Sequence, residues 1–134
     1  MGLITYYDFE DSEAFVFDHY IINQVKEGAV IGTKHNTLLH NCIKKHFSGK
    51  NLVYISNRAR SYAVNPLVYP KTKKIPNLVA IAIVANSPLT RQNAAYEGEF
   101  FDKPYQIFDN LRAAINWSHL QLEAEEKQSF KNKT

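Results

Sequence analysis

The spacing of apolar residues along this chain changes period several times, and each change marks an element. Leu3 to Phe9 is rich in residues that favour extended backbone and predicts a strand. Glu10, Asp11, Ser12 and Glu13 form a polar turn. Ala14 to Ile22 is a second apolar stretch, read as two short strands meeting near Asp18 and His19. Asn23, Gln24 and Lys26 then alternate with Val25 until Gly28 breaks the run. From about Asn36 the period lengthens. Leu38, Leu39, Cys42, Ile43 and Phe47 make one apolar stripe at helical spacing. Lys44, Lys45 and His46 fall where positive charge complements a helix C-terminus, and Gly49 is placed to cap it.

Leu52 to Ser56 reads as a buried strand, followed by a long loop from Asn57 to Asn65. Asn65 and Pro66 open a short helix that Pro70 and Pro76 interrupt. Leu78 to Ala85 is the clearest central strand, uncharged and β-branched. Ser87 and Pro88 open a helix through about Phe101, and Tyr105 to Phe108 is a last strand. Asp109 caps a final helix carrying Leu111, Ala114, Ile115, Leu120 and Leu122. From Glu123 the chain turns polar and is expected to fray, which sets one domain over 1–122 and a tail over 123–134.

After the opening meander, strand and helix alternate, which implies right-handed crossovers and parallel pairing. The predicted class is α/β: a mixed β-sheet with helices packed on it. Leu52–Ser56 and Leu78–Ala85 should be its central, parallel strands, with Phe15, Ile55, Ile81, Ile83 and Phe108 in the core.

Composition narrows the function more by exclusion than by suggestion. A chain of 134 residues buries enough surface to fold without a staple. The net charge of +3 comes largely from Lys71, Lys73 and Lys74 and from Lys127, Lys131 and Lys133. Short charge runs of this kind are ordinarily solvated surface, so nucleic acid is not an expected partner. The N-terminal residues lack the charged and apolar regions of a signal peptide. Tyr6 stands where a myristoylation motif needs Ser or Thr. The longest apolar run, Leu78 to Ala85, is too short to span a bilayer. The expected location is cytoplasmic.

No motif for catalysis, metal or cofactor stands out. His19, His35, His40, His46 and His119 show no ligand spacing. Cys42 lies on the apolar stripe of the first helix and reads as a buried structural thiol. All five glycines are isolated, which excludes a phosphate-binding glycine loop, and no G-x-S-x-G elbow occurs. The loop from Ser56 to Pro66 differs. It follows a buried strand, at the end where open α/β sheets bind ligands, and it carries Asn57, Arg58, Arg60, Ser61, Tyr62 and Asn65. Arg58 can recognise a carboxylate or phosphate as a two-pronged donor, or it can brace the loop. A second polar cluster, Asn86, Ser87, Thr90, Arg91 and Asn93, would share that edge if the two central strands are neighbours.

The stretch Tyr54-Ile55-Ser56-Asn57-Arg58, with Ser61-Tyr62, Asn65-Pro66, Leu78 to Ala82, Phe100 to Pro104 and Phe108, resembles a group of small bacterial proteins described as SpoIIAA-like, or STAS/SEC14-type, domains. The resemblance covers about Tyr7 to Trp117. It implies a non-enzymatic module. In the anti-sigma-factor antagonists of that family a serine in a D-S-S-G-type motif is phosphorylated to switch docking on a kinase. This chain lacks the motif, and Ser61 is its positional counterpart only. SEC14-type members hold lipid in a deep pocket, and a chain this short lacks the helices to enclose one. The reading is therefore a regulatory STAS-like module, monomer or homodimer, that binds a protein partner or small ligand through Asn57, Arg58, Ser61, Tyr62, Asn65 and Arg91. The alternative is a small-molecule or lipid carrier with an apolar pocket between sheet and helices. Neither needs a cofactor or a metal.

Overall fold

A computed structural model of the chain describes residues 4–26, 30–31, 33–58, 63–64 and 74–133. The strands are β1 (Thr5–Asp8), β2 (Ser12–Val16), β3 (Tyr20–Val25), β4 (Val30–Ile31), β5 (Leu52–Asn57), β6 (Ala63–Val64), β7 (Leu78–Val84) and β8 (Tyr105–Phe108). The helices are α1 (Thr33–His46), α2 (Pro88–Gly98) and α3 (Leu111–Lys133). Six strands form one sheet in the order β1-β2-β3-β5-β7-β8, and β4 pairs with β6 in parallel as a separate two-stranded sheet. β1, β2 and β3 meander antiparallel, and β3, β5, β7 and β8 run parallel. The expected mixed sheet and the parallel pairing of its two central strands both hold.

The sheet buries both faces, which is why its central strands are almost continuously apolar. On one face Leu52, Leu78, Ile81 and Ile83 pack with Leu39, Cys42 and Ile43 of α1, with Phe47 just past it, and with Ala94 of α2. On the other, Val53, Ile55, Ala80, Ala82 and Val84 meet Ala114 of α3, with Leu111, Ile115 and Trp117 around it. Ile55, Ile81 and Ile83 are fully buried, as expected. Phe15 and Phe108 are only partly buried, at the margin of the second core.

Several boundaries differ from the sequence reading: α1 starts at Thr33, β5 runs to Asn57, and β6 lies within the segment read as a loop. Ser12 and Glu13 belong to β2, because the reversal closes tightly, with the Phe9 amide donating to Ser12 O at 2.8 Å. α2 ends at Gly98 rather than near Phe101. Beyond it the amides of Phe100 and Phe101 bond three residues back, to Glu97 O and Gly98 O, which is a tightened turn and not α-helix. The cap of α3 is Asn110, whose Oδ1 accepts from the Ala113 amide at 2.9 Å, while Asp109 turns to Arg91. α3 continues through the polar segment to Lys133, a stretch of Glu, Lys, Gln and Ala with good intrinsic helix propensity. The helix expected at Asn65 and Pro66 lies outside the described residues.

Two glycines have defined jobs. Gly49 adopts φ of +71°, the left-handed conformation that caps a helix, just past α1. Gly98 lies where α2 presses on β8: a Cβ there would stand 2.8 Å from the Tyr105 ring. That ring cannot swing away without losing the bond from its hydroxyl to Ala94 O at 2.7 Å. Gly98→Ala is therefore expected to destabilise the fold by about 1–3 kcal/mol, the usual cost of overpacking. Chemical denaturation will measure it, and an unchanged midpoint would mean that α2 shifts freely over β8.

β1 and α1 are joined by a part-buried polar link at the margin of the first core, where Tyr7 Oη lies 2.6 Å from His46 Nε2. Burial, helped by the charge of Lys45, holds the His46 pKa below 6.5. The unfolded chain thus takes up this proton first as pH falls. The His46 contribution is fully present above pH 6.5 and is lost as pH drops from there through the lower folded value. Unfolding free energy measured from pH 7.5 to 5 should fall with a steeper slope in the wild type than in His46→Gln. Equal slopes would remove His46 from the acid response.

Candidate functional site

The parallel strands bring several of the predicted residues to one edge. The β5–β7 register pairs Asn57 with Val84, and the next amide, Arg58 N, donates to Val84 O at 2.9 Å. The chain leaving β5 and the chain leaving β7 into α2 therefore emerge side by side. Asn57 Nδ2 reaches Gln24 Oε1 of β3 at 3.5 Å. Ser87 caps α2, its hydroxyl accepting from the Thr90 amide at 3.2 Å, with Pro88 opening the helix.

Arg58 does not face solvent. Side chains alternate along β5, so Arg58 shares the face of Leu52, Tyr54 and Ser56, the face that α1 and α2 cover. There its guanidinium meets Glu97 of α2 as a two-pronged pair, Nη1 to Oε2 at 2.8 Å and Nη2 to Oε1 at 2.5 Å. Both residues are buried, at 7% and 4% exposure. Arg58 Nε also approaches Ser56 Oγ at 3.4 Å. A fork filled in this way locks the end of β5 to α2. Arg91 has a similar but more exposed role. Its Nη1 donates to Ala85 O at 2.8 Å and to Asp109 Oδ1 at 2.6 Å, tying the start of α2 to the turn after β8. Ser61, Tyr62 and Asn65 lie outside the described residues.

Sequence reasoning missed Glu97. Its position three residues after Ala94 puts both on the inner face of α2, and they are the buried residues of that helix. A carboxylate on an otherwise small-residue face, opposite a strand ending in Arg, was the available signal. The large apolar residues of this segment point the other way. Leu89, Tyr96 and Phe100 are exposed, at 65%, 56% and 36%. Leu89 and Tyr96 are seven residues apart and so lie on one side of α2, and Tyr96 and Phe100 touch edge to face with ring centroids 5.4 Å apart. The result is two exposed apolar points, Leu89 at the start of α2 and the Tyr96–Phe100 pair at its end, on a helix that the Arg58–Glu97 and Arg91–Asp109 pairs hold in place.

The remaining reactive groups have structural settings. Cys42 is buried among the residues of the first core, and burial pushes its thiol up to about 11, far from the thiolate that chemistry would need. Tyr6, raised to about 12, donates its hydroxyl to Glu13 on the adjacent strand. Lys103 donates to Ile75 O at 2.6 Å and Leu78 O at 2.8 Å, and partial burial lowers its pKa. Among the described residues no three His, Cys, Asp or Glu side chains gather as a metal site would require, and no helix is long and apolar enough to cross a membrane.

No family model matches this sequence, and no curated protein does. Its fold is similar to that of an uncharacterised protein of the DUF3478 family, with a SpoIIAA-like fold, from Shewanella loihica PV-4. The match has a TM-score of 0.56 and covers 85% of this chain and 90% of that one at 12% identity. Likeness at that identity speaks for architecture alone. The fold anticipated from the sequence resemblance is the one the chain adopts.

Proposed function

Starting from this SpoIIAA-like fold, we propose that the chain is a non-catalytic, regulatory STAS-like module that docks a protein partner at the carboxyl edge of its parallel strands. The observation that carries the reading is that Leu89 and Tyr96 of α2, and Phe100 just past it, stand exposed on the helix that opens at this edge. Large apolar side chains clustered on a well-anchored surface mark interaction sites, with aromatic residues as the usual anchors. Arg58 serves this surface as a brace for α2 and not as a contact. Arg91, where α2 opens, stands at the polar margin of this surface, and Asn57, Ser61, Tyr62 and Asn65 are kept as candidate contacts on their sequence pattern alone.

The test uses wild type and a Leu89→Lys/Tyr96→Lys variant as baits in an extract of the source cells, with captured proteins and lipids identified together. The expected result is one protein held by the wild type at stoichiometric level, reconstituted with purified components, and lost in the variant. Both baits should melt at the same temperature, since both positions are exposed. A partner that binds the variant equally well, or an eluate containing lipid and no protein, would overturn the reading.

A further inference from the structure

The helices divide unevenly between the two faces of the six-stranded sheet. α1 and α2 share the first face, whereas α3 lies over β5, β7 and β8 on the second. One row of register partners crosses that second face: Tyr6, Phe15, Ile22, Ile55 and Ala82, on β1, β2, β3, β5 and β7. Ile55 and Ala82 are fully buried, with Ala114 of α3 in the same core. Ile22 is 7% exposed, Phe15 is half-buried and Tyr6 is 45% exposed. Cover is thus lost step by step from β3 to β1. Ile4, two residues before Tyr6, is 50% exposed on the same side, and the Tyr6 and Phe15 rings pack with centroids 5.1 Å apart. From β1 to β3 the sheet spans roughly 10 Å, about the diameter of one helix.

The charge around this strip is opposite in sign to that of the whole chain. Residues 4–26 hold Asp8, Glu10, Asp11, Glu13 and Asp18 against a single lysine, Lys26, in a protein of net charge +3. Asp8 and Glu13 are register partners and stand on the face of Tyr6 and Phe15. Lys26 Nζ pairs with Asp8 Oδ1 at 3.0 Å, and Glu13 accepts the Tyr6 hydroxyl. An excess of carboxylates remains, at the turn from β1 to β2 and, with Asp18, at the turn from β2 to β3. Apolar surface inside a polar rim is the usual anatomy of a protein interface.

We propose that this half-covered face of the meander docks a basic amphipathic helix of a partner protein. The apolar side of that helix packs on Ile4, Tyr6 and Phe15, and its lysine or arginine residues reach Asp8 and Glu13. It lies where a fourth helix would complete the layer that α3 only half fills. A second copy of this chain suits the face poorly, because it would set the same carboxylates against one another. The face is separate from α2, and docking here is independent of docking there.

Calorimetric titration of the full chain uses two synthetic peptides of about 18 residues, five helical turns. One has leucine on one side and lysine on the other, and the second has glutamate in place of lysine. The lysine peptide should bind saturably at one site and weaken as salt rises. The glutamate peptide should bind about tenfold or more weakly, since like charges then face each other. Amide shifts should centre on β1 and β2. Asp8→Asn/Glu13→Gln keeps the size of both side chains, and should weaken the lysine peptide by about tenfold while melting like the wild type. Tyr6→Thr should weaken it by a similar factor, by removing an aromatic anchor. Leu89→Ser/Tyr96→Ser should bind it as the wild type does. No saturable binding of the lysine peptide, equal binding of the glutamate peptide, shifts centred away from the meander, unchanged affinity in both meander variants, or a loss in the α2 variant would each overturn the assignment. So would a dimer in sedimentation that Tyr6→Thr dissociates, which would give the face to a second copy.

Discussion

Arg58→Met alone, or Glu97→Leu alone, is expected to lower stability by about 3–5 kcal/mol, because each leaves the opposite charge buried without its partner. The two side chains are 4% and 5% exposed, so water cannot replace the missing group without opening the contact between β5 and α2. The double variant should recover most of the loss. Removing both ends of a buried ion pair and filling the space with apolar atoms is often neutral or better. Arg58→Lys should fall between, since a point charge does not reproduce two parallel bonds to one carboxylate. Urea denaturation of the wild type, the Arg58→Met and Glu97→Leu variants and the double forms the double-mutant cycle, and the expected coupling is favourable and large. Additive losses would show that the two residues act independently. The same variants separate bracing from recognition. A refolded Arg58→Met/Glu97→Leu protein that still captures its partner would leave Arg58 with a bracing role only.

Ile81→Ala should cost about 2–5 kcal/mol, the range for emptying a well-packed aliphatic site. Ile81 is 1% exposed and lies on β7, one of the two inner strands of the parallel set, under α1 and α2. Leu89→Ala removes the same three carbons from a side chain that is 65% exposed, and should change stability by less than about 0.5 kcal/mol. A denaturation midpoint that moved for Leu89 and not for Ile81 would reverse the assignment of core and surface. The pair matters for function too, because the docking surface must be removable without unfolding the protein.

The architecture was legible in the sequence because the sheet is buried on both sides. Leu52 to Ser56 and Leu78 to Ala85 could be read as neighbouring parallel strands from their unbroken apolar character and the helical stretches between them. Cys42 could be assigned to the core from the stripe it shares with Leu39 and Ile43. Cap chemistry was readable at Ser87, whose Pro88 neighbour fixes the helix start, and at Gly49. It was not readable between Asp109 and Asn110, since both are good caps. Asp109 was drawn away by Arg91, a residue 18 positions earlier.

The orientation of α2 was a tertiary decision. Its hydropathy alone would turn Leu89 and Tyr96 inward, yet Ala94 and Glu97 are buried and the large residues face out. β8 approaches so closely that Gly98 leaves no room for a Cβ beside Tyr105, and a large side chain on that face would push the helix off the sheet. The same close approach brings Glu97 within reach of Arg58, 39 residues earlier. Local pattern can place a residue on a strand face or a helix face, because that depends on backbone period. It cannot say which distant face lies opposite, so it left Arg58 open between brace and ligand contact. Only the packing of α2 across the end of β5 gave that arginine its carboxylate.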